Sequence, residues 1–337
     1  MDDKDIGKSE PWYFDSIGMN DKVLSLTTWA PVAVSVIDSG VAFVGGIAFS
    51  EFAKYSYTKD GSPYPVEKYG QAYYIHGTSM ASIIASRHDS RSVFGIFPRA
   101  MISSRRVVPR GIKDSWLKSV EAIMSNQSLT AGAEKIINVS GGEKGASRAT
   151  PWTDLLSRMG KSNTRLLVAA VGNDGADIRT LGKEKRIWPA SYHPSSKVNK
   201  KFDPVIRVAA LAQYTKGQTP VLYRGSLTGS RYGSGWVDIG APGVNIPVLA
   251  PDGTIRKGNG TSESAAIVSG VLAAMASCNP QASAQELKSV LLDTADKFES
   301  LADKITEGRV LNAGKAITKF CLGSYVAKKD SRSRIDL

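Results

Sequence analysis

Residues 31–40 read PVAVSVIDSG, and this short stretch carries the pattern on which the interpretation of the fold depends. Residues 31–37 are mostly apolar and β-branched, and they lack the polar alternation of a half-exposed strand. They therefore predict a strand that is buried on both faces. Asp38-Ser39-Gly40 then ends the strand at a turn. A carboxylate at this position would lose most of its water and would need a charged or hydrogen-bonding partner.

Further apolar segments continue this pattern along the chain, and strands alternate with helices. The predicted strands are 100–108, 135–140, 165–172, 205–211 and 236–239, and the predicted helices are 78–87, 114–130, 152–160, 261–277 and 283–297. The alternation predicts a three-layer α/β fold whose mainly parallel central sheet has helices on both faces. Reactive groups collect at the carboxyl ends of such strands, where this chain places Asp38, Ser140 and Asn173.

Composition limits the classes of protein to which the chain can belong. The sequence has 337 residues, of which 42% are hydrophobic and 22% charged, as in ordinary globular proteins. No run of about 18 apolar residues predicts a transmembrane helix, and no contact with a membrane is expected. The charged N-terminal residues do not resemble a signal peptide. The chain is therefore expected to be either cytoplasmic or a mature or secreted fragment that lacks its export signal.

Cysteine and histidine are too few and too scattered for the common metal sites. The two cysteines, Cys278 and Cys321, do not form a disulfide framework, although a single bridge between them is compatible with the sequence. The three histidines include no HExxH pattern. We therefore assign no metal ligand and no cofactor from the residues themselves.

The net charge of +12 leaves two interpretations of the surface open. The basic residues are spread over several short runs, which is typical of a solvated surface. The alternative is attraction to nucleic acid or to another polyanion. Because no basic run is interleaved with aromatic residues, as binding of single strands requires, we expect no specific nucleic-acid partner.

Three short segments contain the candidate catalytic residues. They are VIDSG at 36–40, HGTSMASIIAS at 76–86 and GTSESAAIVSG at 260–270. Taken singly, each has an ordinary structural explanation: Asp-Ser-Gly is a common turn, a histidine often begins a surface helix, and Ser262 could be a helix N-cap. Ser262 could equally be a nucleophile at the positive end of that helix, if the chain supplies a base for it.

Taken together, the three segments resemble the subtilisin-like serine proteases, which are also called subtilases or the peptidase S8 family. The order Asp, His, Ser along the chain is that of the subtilisin triad. Asp38-Ser39-Gly40, His76-Gly77-Thr78 and Gly260-Thr261-Ser262 match the family's three motifs. The resemblance implies an N-terminal extension at 1–11, a catalytic domain at 12–318 and a basic, poorly ordered tail at 319–337.

The resemblance also implies a reaction, which is hydrolysis of peptide bonds by a serine endopeptidase through an acyl-enzyme. His76 would take the proton of Ser262 and later deliver it to the leaving amine. Asp38 would hold the imidazole in the required tautomer. The expected partner is a polypeptide substrate, and the chain is expected to act as a monomer.

Further matches imply an oxyanion hole and a substrate-binding edge. VAAVGNDG at 168–175 resembles the family's oxyanion segment, so the side-chain amide of Asn173 and the backbone N–H of Ser262 would bind the oxyanion. IINVSGG at 136–142 resembles the substrate-binding edge. The backbone of two segments would pair with an extended peptide and line the primary pocket. The residues are Ser140, Gly141, Gly142, Ala170, Val171 and Gly172.

Two residues depart from the family's usual pattern. Gly141 stands where an apolar residue such as leucine is usual, which predicts a wall of the substrate cleft that is either more open or one residue shorter. Glu263 follows Ser262 where methionine is common. Glu263 could point outwards as a first-turn acid, disfavour acidic substrates or raise the pKa of His76. Structural Ca²⁺ is compatible with the resemblance, but its ligands would be dispersed loop oxygens and none can be assigned.

Two other classes of function remain open from the sequence. One is a catalytically silent peptide-binding or interaction module with the same fold. The other is a nucleic-acid-associated protein, which the net charge suggests and which would bind less tightly as salt rises. Three motifs in one order outweigh bulk charge, because charge constrains partners more than activity. Reaction of Ser262 with a fluorophosphonate would separate a protease from a silent module.

Overall fold

The computed structural model describes residues 11–28, 30, 32–42, 75–88, 93–107, 115–125, 134–193 and 202–333. Of the expected N-terminal extension, Pro11 alone lies within these residues. The strands are β1 Val32–Asp38, β2 Ala100–Arg106, β3 Glu134–Val139, β4 Glu143–Lys144, β5 Leu166–Ala170, β6 Ile187–Trp188, β7 Val205–Leu211, β8 Ile239–Pro242, β9 Ile246–Leu249, β10 Ile255–Gly258, β11 Asp296–Lys297 and β12 Arg309–Val310. The α-helices are α1 Trp12–Ser16, α2 Asp21–Ser25, α3 Ile75–Ala85, α4 Ser115–Ser125, α5 Ala149–Ser162, α6 Thr261–Cys278, α7 Ala284–Asp293 and α8 Ala313–Ser333.

An eight-stranded sheet lies at the centre of the described part of the chain. Its strand order is β11-β12-β8-β7-β5-β3-β1-β2. Neighbouring strands are parallel except for the antiparallel pair of β11 and β12. The pairs β4–β6 and β9–β10 form two small antiparallel ribbons beside it. Because β1, β3 and β5 are adjacent and parallel, the segments that follow them all emerge at the carboxyl end of the sheet.

Helices cover both faces of the sheet, which confirms the predicted three-layer α/β architecture. Leu166 and Val168 of β5 pack into one apolar core with α3, α6 and α8. Leu167 and Ala169 of the same strand pack into a second core with α4 and α5. Successive side chains of a strand point to opposite faces, so a continuous apolar run supplies both cores.

Helix α6 is the central helix of one of these layers, and all 18 of its residues are buried. Within the described residues it is the one helix that is long and apolar enough to cross a membrane by length and composition. Its complete burial inside the protein identifies it as a core helix instead. The small side chains of α6 let it pack closely on the sheet. Its first turn lies at the carboxyl ends of β3 and β5.

Two of the boundaries that differ from the sequence predictions have an identifiable local cause. The strand predicted at 236–239 begins three residues later, because the N–H groups of Trp236 and Val237 both donate to the carbonyl of Gly233 in a turn. The helix predicted at 283–297 ends at Asp293 and is followed by the short strand β11. Both differences arise from local turns that a hydrophobic pattern does not encode.

The segment predicted as a basic, poorly ordered tail begins inside helix α8. Helix α8 continues through residue 319 and ends at Ser333. Phe320 and Cys321 are buried, and a disulfide joins Cys321 to Cys278 at the end of α6. This bridge and the apolar contacts of the first turns of α8 hold the helix on the core. The predicted boundary of the catalytic domain near residue 318 therefore falls inside a helix.

Candidate active site

Asp38 and His76 meet at the carboxyl end of the central sheet. Asp38 is the last residue of β1, and His76 is the second residue of α3. The Nδ1 atom of His76 lies 2.8 Å from each carboxylate oxygen of Asp38. The carboxylate is buried, whereas 46% of the His76 side chain is exposed. Contact with the carboxylate fixes Nδ1 as the protonated nitrogen, so Nε2 is the atom that can take up a further proton.

The turn after β1 and the absence of a side chain at Gly77 make this contact possible. A Cβ atom at residue 77 would lie 2.3 Å from the carbonyl oxygen of Gly40 and 3.2 Å from the Cβ atom of Asp38. The N–H of Gly77 donates to the hydroxyl of Ser39 at 3.0 Å. The N–H of Ser39 donates to the carboxylate of Asp38 at 2.6 Å. One tight turn therefore positions both the carboxylate and the first turn of α3.

The charges around His76 favour its protonated form. The pKa of His76 is raised to about 9, chiefly because the negative charge of Asp38 lies in contact with the ring. Burial acts in the opposite direction, while the hydrogen bond to Asp38 and the charge of Glu263 raise the pKa further. The expectation that Glu263 raises the pKa of His76 is therefore confirmed in direction. A carboxyl group on the residue after Ser262 acts on the same imidazole as Asp38.

Glu263 does not point outwards, so its interpretation as an exposed first-turn acid is wrong. The residue is only 6% exposed, and burial raises the pKa of its carboxyl group to about 7. Strand β10 covers the carboxyl group, because a Cβ atom at Gly258 would lie 2.3 Å from its Oε1 atom. The glycine at the end of β10 provides the space into which the Glu263 side chain folds.

Ser262 is the second residue of α6 and not its N-cap. Gly260 occupies the N-cap position and makes no side-chain cap bond, so the interpretation of Ser262 as an N-cap is wrong. The Ser262 hydroxyl donates to the carbonyl of Ser140 at 3.0 Å, and the Ser140 hydroxyl donates to the carbonyl of Ser262 at 3.1 Å. This reciprocal pair joins the start of α6 to the end of β3. In this structure the Ser262 hydroxyl therefore donates its hydrogen bond to Ser140 and not to the imidazole of His76.

Thr261 fixes the orientation of the Asn173 side chain. The Asn173 Oδ1 atom accepts from the N–H of Thr261 at 2.9 Å and from its hydroxyl at 3.0 Å. The same hydroxyl accepts from the N–H of Gly172 at 3.2 Å. Because the amide oxygen is engaged, the NH₂ group is the part of Asn173 that can donate to a ligand. The motif Gly-Thr-Ser contained this residue, but its link to Asn173 could be found only from the fold.

Gly260 allows α6 to begin directly beside Asn173. Its φ of +153° lies in a region that other residues rarely adopt. A Cβ atom there would also lie 2.8 Å from the Nδ2 atom of Asn173. The position therefore requires glycine both for its backbone conformation and for the close approach of the amide.

The six residues predicted to bind substrate lie on two neighbouring segments of backbone. Ser140, Gly141 and Gly142 follow β3, and Ala170, Val171 and Gly172 lie at the end of β5. Strands β3 and β5 are paired in parallel, so the two segments run side by side. The side chain of Val171 is fully buried in a third apolar core, which leaves only its backbone for contact with a ligand.

An aromatic ring from another element occupies the space beside Gly141, and the shape of the cleft wall stays a prediction. A Cβ atom at Gly141 would lie 2.6 Å from the Cη2 atom of Trp116. The partly buried indole of Trp116, on α4, therefore occupies the space that a side chain at residue 141 would take. Trp116 lies in the helix predicted at 114–130, but its contact with Gly141 depends on the packing of two elements that are distant in sequence.

The described residues contain no group of three or more histidine, cysteine, aspartate or glutamate side chains that could hold a metal ion. Structural Ca²⁺ stays a prediction, since the resemblance attributes such ions to dispersed loop oxygens.

A comparison with models of known protein families identifies the family of this chain. The Subtilase family model, Peptidase_S8, matches residues 30–314. The chain belongs to the subtilase family. This membership supports a serine-type peptidase in general, and it agrees with the mainly parallel central sheet.

Several relatives extend this result. The chain is 62% identical to the A-subunit of subtilase cytotoxin from Escherichia coli over 329 residues, which cover 97% of this chain and 94% of that protein. The crystal structure of the A-subunit of the AB5 toxin from E. coli matches with a TM-score of 0.86 and 64% identity, covering 93% of this chain and 100% of that one. Subtilisin DY of Bacillus licheniformis is 27% identical over 292 residues, or 84% of this chain and 89% of that one. Because one relative belongs to a multi-subunit toxin, these comparisons do not support the expectation of a monomer.

Proposed function

We propose that the chain is a serine endopeptidase in which Ser262 is the nucleophile, His76 the general base and Asp38 the residue that orients the base. The observation that carries the proposal is the contact between Nδ1 of His76 and the buried carboxylate of Asp38 at 2.8 Å. A serine alcohol is a weak nucleophile unless a base is beside it. The Asp38–His76 pair supplies such a base at the sheet edge where α6 begins.

In the first half of the reaction, rotation of the Ser262 side chain moves its hydroxyl from the carbonyl of Ser140 towards Nε2 of His76. His76 removes the proton as Ser262 Oγ attacks the carbonyl carbon of the scissile peptide bond. Asp38 stabilises the imidazolium that forms. The imidazolium then gives its proton to the leaving amine, which departs and leaves an acyl-enzyme. In the second half, water attacks this ester by the same steps. The acyl group leaves as a carboxylic acid, and Ser262 is regenerated.

The oxyanion of the tetrahedral intermediate would be bound by the NH₂ group of Asn173 and the backbone N–H of Ser262. Two features support this role. The bonds from Thr261 engage the amide oxygen, so the donor end of Asn173 is the end left for a ligand. The first N–H groups of a helix lack partners within the helix, and they carry its positive partial charge. Loss of such an amide donor costs about 10²–10³-fold in kcat, a range known from subtilisin.

Labelling with a fluorophosphonate probe tests the proposal. We expect one equivalent of probe to react with the intact chain, and peptide mapping by mass spectrometry to place it on Ser262. The matched control is Ser300→Ala, which removes the hydroxyl of an exposed serine in a short helix and should leave labelling unchanged. A folded chain that neither reacts with the probe nor cleaves denatured protein would favour the silent peptide-binding module instead.

We also propose that the chain works as one component of a larger assembly. The supporting observation is 62% identity, over 97% of the chain, to a protein that is one subunit of a toxin. Light scattering on the protein isolated from its native source tests this. A mass well above the 36.0 kDa of one chain, together with a second polypeptide in the same peak, supports an assembly. The mass of a single chain would contradict it.

A further inference from the structure

A hairpin formed by residues 223–230 lies directly beside Asn173, the residue that the proposed function assigns to the oxyanion. The N–H of Gly229, on the returning arm of the hairpin, donates to the carbonyl of Asn173 at 3.0 Å. The carbonyl of Gly229 accepts from the N–H of Gly175 at 2.8 Å. These two bonds pair the hairpin with the segment that follows β5 and attach it to the backbone of the candidate active site.

Hydrogen bonds within the hairpin hold its tip in a defined shape. The N–H of Ser230 donates to the carbonyl of Tyr223 at 2.9 Å, which closes the base. The N–H of Gly225 donates to the carbonyl of Thr228 at 2.6 Å, and the hydroxyl groups of Tyr223 and Thr228 lie 2.8 Å apart. A ligand that binds the tip would order little additional backbone, which lowers the entropic cost of binding.

The tip of the hairpin presents an exposed leucine. Leu227 is 95% exposed, which makes it the most exposed large apolar side chain in the part of the chain that the structure describes. Leu222, just ahead of the hairpin, is by contrast buried in the third apolar core and anchors the base. The fold therefore makes almost no use of the Leu227 side chain, and a partner that removes it from water would be stabilised by its burial.

The charged groups around the hairpin are already engaged. Arg231 donates to both carboxylate oxygens of Asp174, at 2.7 and 2.6 Å. The guanidinium of Arg224 lies 5.3 Å from the ring centroid of Tyr232, in a cation–π contact. Both chain neighbours of Leu227 are uncharged hydroxyl residues. The chemistry of the tip therefore fits an apolar side chain better than a charged one.

The position of the hairpin identifies its partner as the polypeptide substrate. In the proposed function, substrate residues before the scissile bond pair with the segments that follow β3 and β5. The scissile carbonyl then lies between Asn173 and Ser262, and the residues after the bond continue past the backbone to which the hairpin is attached.

We infer that Leu227 binds an apolar side chain of the substrate several residues after the scissile bond, so that this peptidase prefers long polypeptides to short peptides. The inference rests on the proposed peptidase function and adds to it a contact away from the bond that is cleaved. The hairpin is thus an accessory surface for the substrate, and Leu227 is its anchor.

Cleavage of three related peptides tests the inference. All share the residues that flank the scissile bond; one ends there, one is extended after the bond by a leucine-containing segment, and one carries the same segment before the bond. We expect the wild type to have the highest kcat/KM for the peptide extended after the bond. Leu227→Ser should lower the ratio of this kcat/KM to that of the short peptide about tenfold, because the leucine can no longer be buried against the substrate.

Two further variants make the comparison specific. Leu227→Met keeps a long apolar side chain and should retain the wild-type ratio. Leu322→Ser makes the polar substitution at a leucine of α8 that is 50% exposed, and it should also leave the ratio unchanged. Since the side chain of Leu227 lies in solvent, thermal unfolding of Leu227→Ser should stay close to that of the wild type.

The outcomes separate the inference from the proposed function. A wild type that cleaves the short and extended peptides equally well, or a ratio that does not respond to Leu227→Ser, would overturn the inference and leave the peptidase proposal standing. An advantage confined to the peptide extended before the bond would overturn it as well. So would light scattering that shows a dimer of the chain which Leu227→Ser dissociates, because the hairpin would then bind a second copy. Failure of the folded wild type to cleave any peptide would overturn the peptidase proposal, and with it the inference.

Discussion

At the scale of single residues, Glu263 adds to Asp38, His76 and Ser262 a second buried carboxyl group that acts on the imidazole. The charged groups that act on its carboxyl group are His76 of α3 and Asp38 of β1. Its own helix has no other acidic or basic side chain, and β10 faces it with Gly258. The imidazole of His76 therefore responds to two carboxyl groups, of which Asp38 has the larger effect.

Glu263→Gln should move the acid limb of the pH profile of kcat/KM to lower pH. A general base must be unprotonated, so activity rises with pH through the pKa of His76, which is raised to about 9. The negative charge of Glu263 contributes to that rise, and its removal lowers the pKa of the base. The profile is measured between about pH 5 and 10. Glu299→Gln, at an exposed position, serves as the control, and an unchanged or upward-shifted limb for Glu263→Gln would contradict the assigned effect.

The residues that could be predicted from the sequence lie in local motifs, whereas the contacts that were missed join distant parts of the chain. Asp38, His76, Asn173 and Ser262 could be predicted because each lies in a short motif that follows a strand or begins a helix. Contacts such as that of Trp116 with Gly141 depend on elements that are distant in sequence. No local pattern records such a contact, so it becomes visible only when the sheet is assembled.

At the scale of elements, the site depends on how closely α3 approaches the end of β1. The apolar, β-branched composition of β1 and the alternation of strands and helices were sufficient to predict the parallel sheet. The start of β8 and the length of α8 could not be predicted in this way. A turn at Gly233 delays β8, and burial of Phe320 together with the disulfide of Cys321 holds the first turns of α8 on the core.

Gly77→Ala should reduce activity at least tenfold, because the added methyl group would lie 2.3 Å from the carbonyl oxygen of Gly40. Either α3 or the turn after β1 must shift, and the contact between His76 and Asp38 lengthens. Overpacking of this kind costs about 1–3 kcal/mol of stability. Kinetic assays and thermal unfolding measure both effects.

Gly182→Ala is the matched control for this substitution. Residue 182 has an ordinary extended backbone, and no atom lies within 4 Å of the place where its Cβ atom would be. The control should therefore keep both activity and stability. Equal behaviour of the two variants would show that the approach of α3 to β1 does not depend on glycine.

At the scale of the whole molecule, the disulfide between Cys278 and Cys321 connects the central helix to the C-terminal helix. The bridge spans 43 residues of chain and joins the far end of α6, whose first turn carries Ser262, to α8. Loss of a crosslink over a loop of this length costs about 4 kcal/mol through the entropy of the unfolded chain. The bridge persists only in an oxidising environment.

Replacement of both cysteines by alanine should therefore lower the free energy of unfolding by about 4 kcal/mol under oxidising conditions. Denaturant titration measures the difference between the variant and the wild type. Adding a reducing agent should bring the wild type to the stability of the variant and leave the variant unchanged. A wild type whose stability does not respond to reduction would contradict the contribution assigned to the bridge.

The most direct test of the central claim is kcat/KM for one cleavable peptide, measured with the wild type and with Ser262→Ala at equal concentration. We predict that Ser262→Ala lowers kcat/KM by about 10⁴-fold or more, because the base is left without a nucleophile to activate. Its thermal unfolding should stay close to that of the wild type. A folded Ser262→Ala chain that cleaves the peptide at the wild-type rate would contradict the assignment of Ser262 as the nucleophile.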